Sequence, residues 1–431
     1  MDDISRYGLF CQLREKIRGS RSHLLVGIDI AKEKHHAFFG TATGNTLWRR
    51  LLFTNDYQGF QNLLERADLL MKQHQLSKVA FGLEPTGNYH KPLAHWLIAK
   101  GQMVVLVSGK AVSDNRQLID GRWDKHDSKD SANVADLISQ GKCQFYEQPD
   151  QHIVEVRNLL SVRKRLKLQE HSLRMQIRNG LLAKYFPEMD RFWASSIEEN
   201  LAIVRLYLDP KKIAATDLMR FVTHVTSKNR GGRQLKRLQS IYDAAQNSIG
   251  LPVDSSAAFE ARLLVKRFCE TREQIAKTME QIERHCNGLC EYKLLLSIPG
   301  FGPYIAAQVM AAIGNPHRFP SQSHVLRLAG LDLNANRSGK KSEASVPRIS
   351  KRGNANLRYG LYQAALIASY HNKIFRCLYH RFQEGRFSER GIKTKVRIKM
   401  AAKMLVIAWT MLKNNEPFDA ERFAAELDPL R

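Results

Sequence analysis

Between residues 20 and 145 the apolar positions fall into short runs of strand length. LLVGIDI (24–30), HAFFGTA (36–42), TLWRRLLF (46–53), KVAFGLE (78–84) and MVVLVS (103–108) are each bounded by turn-forming or polar residues. Gly44-Asn45 between the second and third runs marks a hairpin. Helical spacing takes over in between: Phe60, Leu63, Leu64, Ala67 and Leu70 predict a helix over 57–73. NYHKPLAHWLIAKG (88–101) reads as a second helix closed by Gly101. Two more are expected over 109–119 and 128–140. Three turn-linked strands followed by alternating units predict an α/β region built on a mixed sheet with helices on its faces.

From about Asp150 the pattern changes to long amphipathic helices. One covers 153–184, with Val156, Leu159, Leu160, Val162, Leu166, Leu168, Leu173, Met175, Ile177 and Leu181; another covers 257–292. Neither has a compact core of its own, which suggests an antiparallel helical arm or coiled coil. Pro187, Pro210, Gly231-Gly232 and Pro252 divide 186–256 into short helices and loops inserted between the arms. From about 293 the chain is mostly helical apart from a polar, basic stretch at 334–356. The expected organisation is an α/β domain at 1–150, a helical arm with insert at 151–292, and an all-α C-terminal domain at 293–431.

Charge sharpens this picture. Lys and Arg number 67 against 42 Asp and Glu, a net of +25. Residues 1–146 carry 20 basic and 15 acidic side chains, whereas 337–413 carry 18 and 3. That excess implies a polyanionic partner, with nucleic acid the default. No apolar run approaches the ~20 residues of a membrane span. The acids of MDDISRYGLF do not suit a signal peptide, and six scattered cysteines fit a reducing cytoplasm. Cys286 and Cys290, with His285 beside them, lack nearby partners for a zinc site.

Four carboxylates stand out against the basic background. Asp29 ends the first strand inside GIDIAK, where an unpaired buried carboxylate would be costly. Glu84 ends the fourth strand in LEPTGNY. Asp127 and Asp130 lie three apart in DKHDSKD and share a face if a helix starts near Ser128. Four converging carboxylates need cations, and hard ions such as Mg²⁺ or Mn²⁺ prefer oxygen ligands. Two such ions about 3.5–4 Å apart can activate an attacking oxygen and stabilise a leaving one at a phosphodiester. Singly, each acid also fits a helix cap or turn. Asp120, Asp124 and Asp136 compete by spacing.

GIDIAK, LEPTGNY and KHDSKDSANVADLI together resemble the DEDD transposases of the insertion sequence one-ten family, relatives of the Piv-type DNA invertases. The resemblance implies a first domain similar to RuvC Holliday-junction resolvases (an RNase H-like mixed sheet) and a tetrad at Asp29, Glu84, Asp127 and Asp130. This chain departs from the family pattern at His126 and Ser131, neither of which removes a ligand.

Two C-terminal segments carry further chemistry. LLSIPGFGPYIAAQVMAAIG resembles a helix-hairpin-helix DNA-binding element, in which Gly300 and Gly302 let the backbone approach a phosphate; an ordinary interhelical turn reads the same way. In LAGLDLNANRSGKKSEASVPRISKRGNANLR (328–358), Ser338 lies between Arg337 and Gly339, with Lys340 and Lys341 following and Lys351 and Arg352 further on. A serine beside glycine is ordinarily a loop residue, but the segment also matches the family's second signature. The resemblance therefore implies a nucleophile at Ser338, with Ser342 and Ser345 as local alternatives.

The expectation is a cytoplasmic transposase or site-specific recombinase acting on DNA as a homo-oligomer, a dimer or tetramer. The resemblance implies that the tetrad of one subunit, with Mg²⁺, faces Ser338 of another, that exchange passes through 5′-phosphoserine-type intermediates, and that a structured bridge RNA guides it. Arg163, Lys164, Arg165 and Lys167 on the basic helix, with the residues around Ser338, are the candidate nucleic-acid contacts. Two other classes remain: a junction nuclease that cuts with water, and a non-catalytic nucleic-acid-binding protein.

Overall fold

In the computed structural model the described residues are 6–120, 127–146, 150–228, 231–334 and 348–425. They form two compact units, one of Met1–Asp150 with Asn315–Val325, the other of Gln151–Gly314 with Leu326–Arg431.

The first unit is α/β. Its strands are β1 (His23–Asp29), β2 (Lys34–Thr41), β3 (Thr46–Thr54), β4 (Lys78–Leu83), β5 (Met103–Leu106) and β6 (Gln144–Phe145). They form one mixed sheet in the order β3-β2-β1-β4-β5-β6. β1 runs parallel to β4 and β4 to β5, while the β1–β2–β3 meander and the β5–β6 pair are antiparallel. The helices are α1 (Arg6–Ile17), α2 (Tyr57–Gln73), α3 (His90–Ala99), α4 (Gly109–Asp120) and α5 (Asp127–Ser139). β6 and α1 were not among the expected elements. β6 has two residues, too few for a periodicity, and α1 lacks a continuous apolar stripe.

Strand alternation sorts the core into two layers. Leu24, Val26 and Ile28 of β1, with Phe81 and Leu83 of β4, pack with Phe60, Leu63 and Leu70 of α2 and Leu93 and Leu97 of α3. The other face carries Leu25 and Ala80, which pack with Ile17, Val112, Val134, Leu137 and Ile138 from α1, α4 and α5. Gly27 and Gly82, register partners on β1 and β4, share this second face. A Cβ on Gly27 would stand 2.1 Å from the Ser131 carbonyl oxygen, and one on Gly82 would stand 2.1 Å from Ile138 Cδ1. Only glycine lets α5 press this closely onto the sheet.

The second unit is almost entirely helical. α6 (Gln151–Met175) continues through a π-helical stretch (Gln176–Leu182) into α7 (Ala183–Tyr185). α8 (Glu198–Tyr207), α9 (Pro210–Ala214), α10 (Leu218–Val225) and α11 (Gly232–Gln246) follow, then the long α12 (Ser255–Cys286). α6 and α12 lie side by side, with Glu155 near the start of one 3.7 Å from His285 at the end of the other. The segment between them is more than loops. Phe186, Met189, Ile203, Val204, Phe221 and Ile241 form a core with Leu173 and Ile177 on one side and Leu264 and Phe268 on the other. Its apolar residues are spread over helices of 5 to 15 residues, which hides their common core from a window-based reading.

The rest comprises α13 (Cys290–Leu296), α14 (Pro303–Ile313), α15 (Gln322–Ala329), a ribbon of β7 (Leu333–Asn334) and β8 (Arg348–Ile349), then α16 (Ala355–His371), α17 (Lys373–Gln383), α18 (Ile392–Asn414) and α19 (Ala420–Ala425). Arg157 of α6 donates from Nε to the Ala311 carbonyl at 2.8 Å, serving an otherwise unpaired acceptor in the last turn of α14.

Candidate active site and nucleic-acid surfaces

Asp29 and Glu84 stand at the carboxyl ends of adjacent parallel strands. The β1–β4 register pairs Ile28 with Leu83, and the Glu84 amide reaches the Ile28 carbonyl at 3.4 Å. The two acids are therefore neighbours across the ladder. By alternation each shares the face of the glycine two residues before it, the face that α5 covers. Asp127 opens α5 and Asp130 lies one turn in. The acids stand out in the sequence, whereas Gly27 and Gly82 do not. A Gly-x-Asp and a Gly-x-Glu ending neighbouring strands were the available signal.

Glu84 Oε1 would be 2.8 Å from a Cβ on Gly109, which places this carboxylate against the first residue of α4. Asp130 is 2% exposed, and Arg116 of α4 grips its Oδ1 from Nε at 2.8 Å and from a terminal nitrogen at 2.7 Å. Below this pair, Asn115 donates to Asn133 at 2.6 Å and to Asp136 at 2.8 Å, and Asn133 donates to the Val112 carbonyl at 2.6 Å. Gln140 donates to the same Asp136 oxygen at 2.7 Å. Asp136 thus belongs to a network that ties α4 to α5. Arg116, Asn115 and Asn133 were not singled out in the sequence, because nothing in one chain read alone says which polar residues of α4 face α5.

Among the described residues, no three His, Cys, Asp or Glu side chains cluster as metal ligands. The Asp127 side chain and Asp124 lie outside the described set. Asp29, Glu84 and Asp130 are all carboxylates, a chemistry that fits a hard divalent cation. Asp130 already holds the Arg116 guanidinium.

On the second unit the basic helix divides by role. Arg163 stacks over Tyr304 of α14 at 3.7 Å, and its Nε is buried without a hydrogen-bond partner. Lys167 pairs with Glu170. Lys164 and Arg165 are exposed, Arg165 holding Ser161 Oγ at 3.1 Å. In the turn before α14, Gly300 has φ +90°, and a Cβ there would stand 2.5 Å from the Ala364 carbonyl of α16. The structure thus gives this glycine a packing reason. Gly302 faces open space at the N-cap of α14. Arg337, Ser338, Lys340 and Lys341 lie outside the described residues, as do Ser342 and Ser345. Their flanks are held, however: β7 pairs with β8, Ser350 Oγ donates to Asp332 at 2.5 Å, and Arg358 donates to the Ala329 carbonyl at 2.7 Å. Lys351 and Arg352 are exposed just beyond the ribbon.

Among the described residues, no helix is long and apolar enough to cross a membrane. Comparison with known proteins agrees along most of the chain. A family model for the DEDD transposase domain of IS110 elements, described as a transposase, matches residues 26–187. A second, described as the transposase IS116/IS110/IS902 family, matches residues 292–380. The 44.8 kDa protein of insertion element IS116 from Streptomyces clavuligerus is 24% identical over 406 residues, covering 91% of this chain and 95% of its own length. The pilin gene-inverting protein of Moraxella bovis is 23% identical, with 92% and 98% covered. The transposase of insertion sequence element IS1111A from Coxiella burnetii is 23% identical, with 94% of each covered. Two models of one family over more than half of the chain, and relatives matched nearly end to end, show that this chain belongs to the IS110 family of insertion-sequence transposases, enzymes of DNA recombination.

Proposed function

We propose that the first unit is a RuvC-like catalytic domain whose tetrad Asp29, Glu84, Asp127 and Asp130 holds Mg²⁺ or Mn²⁺, two ions in all, and that strand exchange uses Ser338 as nucleophile. The observation that carries the acidic site is the pairing of Asp29 and Glu84 at adjacent parallel strand ends, on the face where α5 begins. Bound cations would supply charge neutralisation at the phosphodiester oxygens. The chain's own groups do the rest. α5, seated on Gly27 and Gly82, fixes Asp127 and Asp130 relative to the strand ends. Arg116 orients Asp130 through its two contacts to Oδ1.

At Ser338 the hydroxyl oxygen attacks phosphorus, its proton leaves to a base, and one sugar oxygen departs. The phosphodiester energy is kept in a protein–DNA ester that a second sugar hydroxyl can resolve. The family resemblance supports this serine, a partner subunit's tetrad facing it, and a structured guide RNA. The basic balance of 337–413 suits either nucleic acid. The coiled-coil reading of α6 with α12 and the helix-hairpin-helix reading of α13 with α14 belong to the same proposal, as DNA- or RNA-facing elements.

The test is a Mg²⁺-dependent recombination assay on element ends. Asp29→Ala, Glu84→Ala and Asp127→Ala should each abolish cleavage in a folded protein. Asp130→Asn serves at the fourth position because it removes a charged ligand without emptying the contact to Arg116. Near wild-type activity in any of the four removes that residue from the site.

A further inference from the structure

We propose that the cleft between α17 and α18 is a binding site for a single-stranded stretch of nucleic acid, taking a phosphate between Lys399 and Lys403 and its base beside Phe382. The cleft measures about 510 Å³, a size that suits one nucleotide. Its lining includes Leu378 and Phe382 from α17, Arg381 and Arg386, and both lysines from α18; Glu384 is the one acid.

Two features point to an absent anion. Lys399 and Lys403 lie four apart on α18, so their ammonium groups share one helix face and repel. Among the described residues neither has an ion-pair partner, and each lies over an aromatic ring instead: Lys399 Nζ is 3.9 Å from the Phe382 centroid and Lys403 Nζ is 5.2 Å from that of Phe423. Three nearby cations, Lys395, Arg386 and Arg397, have partners. Lys395, one turn before, pairs with Glu389, which also binds Arg386 at 2.6 Å. Arg397 donates to Tyr370 Oη at 3.1 Å. An anion between Lys399 and Lys403 would relieve that repulsion. The apolar wall of Leu378 and Phe382 selects among anions. A duplex keeps its base faces stacked, whereas an unpaired nucleotide can lay one against an aromatic ring.

The inference rests on the transposase reading only in taking nucleic acid as the polyanion. DNA and RNA strands offer the same phosphate and base faces, so both are tested. Fluorescein-labelled dT20, rU20 and a 20-base-pair duplex are titrated with the full-length protein at several salt concentrations, read by anisotropy. For Lys399→Gln/Lys403→Gln, losing one shared phosphate contact should reduce the single-strand slope of log K against log salt by about 0.7. Phe382→Leu should weaken single-strand binding about ten-fold at unchanged slope and leave duplex binding alone. The strand that suffers the larger loss, dT20 or rU20, identifies the natural occupant. Unchanged single-strand binding in both variants, or an equal loss on duplex, overturns the proposal. If the variants bind as wild type while recombination proceeds, only the cleft is refuted; if wild-type protein binds no nucleic acid and recombines none, the function reading itself falls.

Discussion

Gly27→Ala puts the seating of α5 to the test. The added methyl would lie 2.1 Å from the Ser131 carbonyl oxygen and 2.5 Å from the Ala135 amide nitrogen, both backbone atoms of one helix. Carbon–oxygen contacts relax only at about 3.3–3.6 Å, so α5 must retreat by more than ~1 Å. Overpacking of this kind costs about 1–3 kcal/mol. Alanine returns about 0.4–1 kcal/mol by stiffening the unfolded chain. At the middle of these ranges the net loss is about 1.3 kcal/mol, a fall in Tm of roughly 3–5 °C for a unit of this size. Activity should suffer more than stability, because Asp130 follows α5 while Asp29 stays with β1. A misplacement of about 1 Å can cost ~100-fold in rate. Circular dichroism melting and a strand-cleavage assay below the melting point measure the two effects. Gly180→Ala, whose methyl meets nothing within 4 Å inside a helical stretch, serves as the control: it should leave cleavage unchanged and the melting point unchanged or slightly raised. A Gly27→Ala protein that melts and cleaves as wild type would show that α5 does not rest on β1.

Burial lowers the pKa of His23, His35 and His90 below the usual 6.5, with Lys78 adding to the effect at His23 and Lys91 at His90. The unfolded chain then binds protons that the native one refuses, so this stability is complete above about pH 6.5 and is lost as pH falls further. Melting of the first unit should drop between pH 7 and pH 5; a flat profile contradicts it. On the basic helix, Lys164→Ala/Arg165→Ala should lower the duplex salt slope by about 1.8 if each contacts one phosphate. Arg163→Ala should leave the slope unchanged and lower the melting temperature, because Arg163 is engaged by Tyr304. The reverse pattern would mean the two sides of α6 have been misassigned.

Much of the first unit is legible because β1, β2 and β4 are largely buried apolar runs and α2 is amphipathic, so composition and period agree there. Asp29 and Glu84 stand out only in combination: each alone fits a cap or turn, and it is a carboxylate at the end of each of two apolar runs, with Asp127 and Asp130 beyond them, that points to a shared site. What stayed hidden depended on contacts between distant segments. Arg116 looks like any surface arginine until α4 is laid on α5, and Arg163 reads as a nucleic-acid contact until α14 brings Tyr304 beneath it. Gly300 suits a phosphate approach by sequence, whereas its backbone faces Ala364 of α16, a segment some 60 residues away whose position no local pattern encodes.

The central claim, a serine nucleophile working with an acidic metal site, is tested most directly by a denaturing gel of end-labelled element DNA incubated with the protein and Mg²⁺. Losing one hydroxyl hardly alters the charged surface, so Ser338→Ala should bind DNA as wild type does. The account predicts a protein–DNA adduct for the wild-type protein that is absent for both Ser338→Ala and Asp29→Ala. Free nicked DNA from wild type and Ser338→Ala alike, with no adduct in either, would contradict it and leave a metal-dependent nuclease that cuts with water.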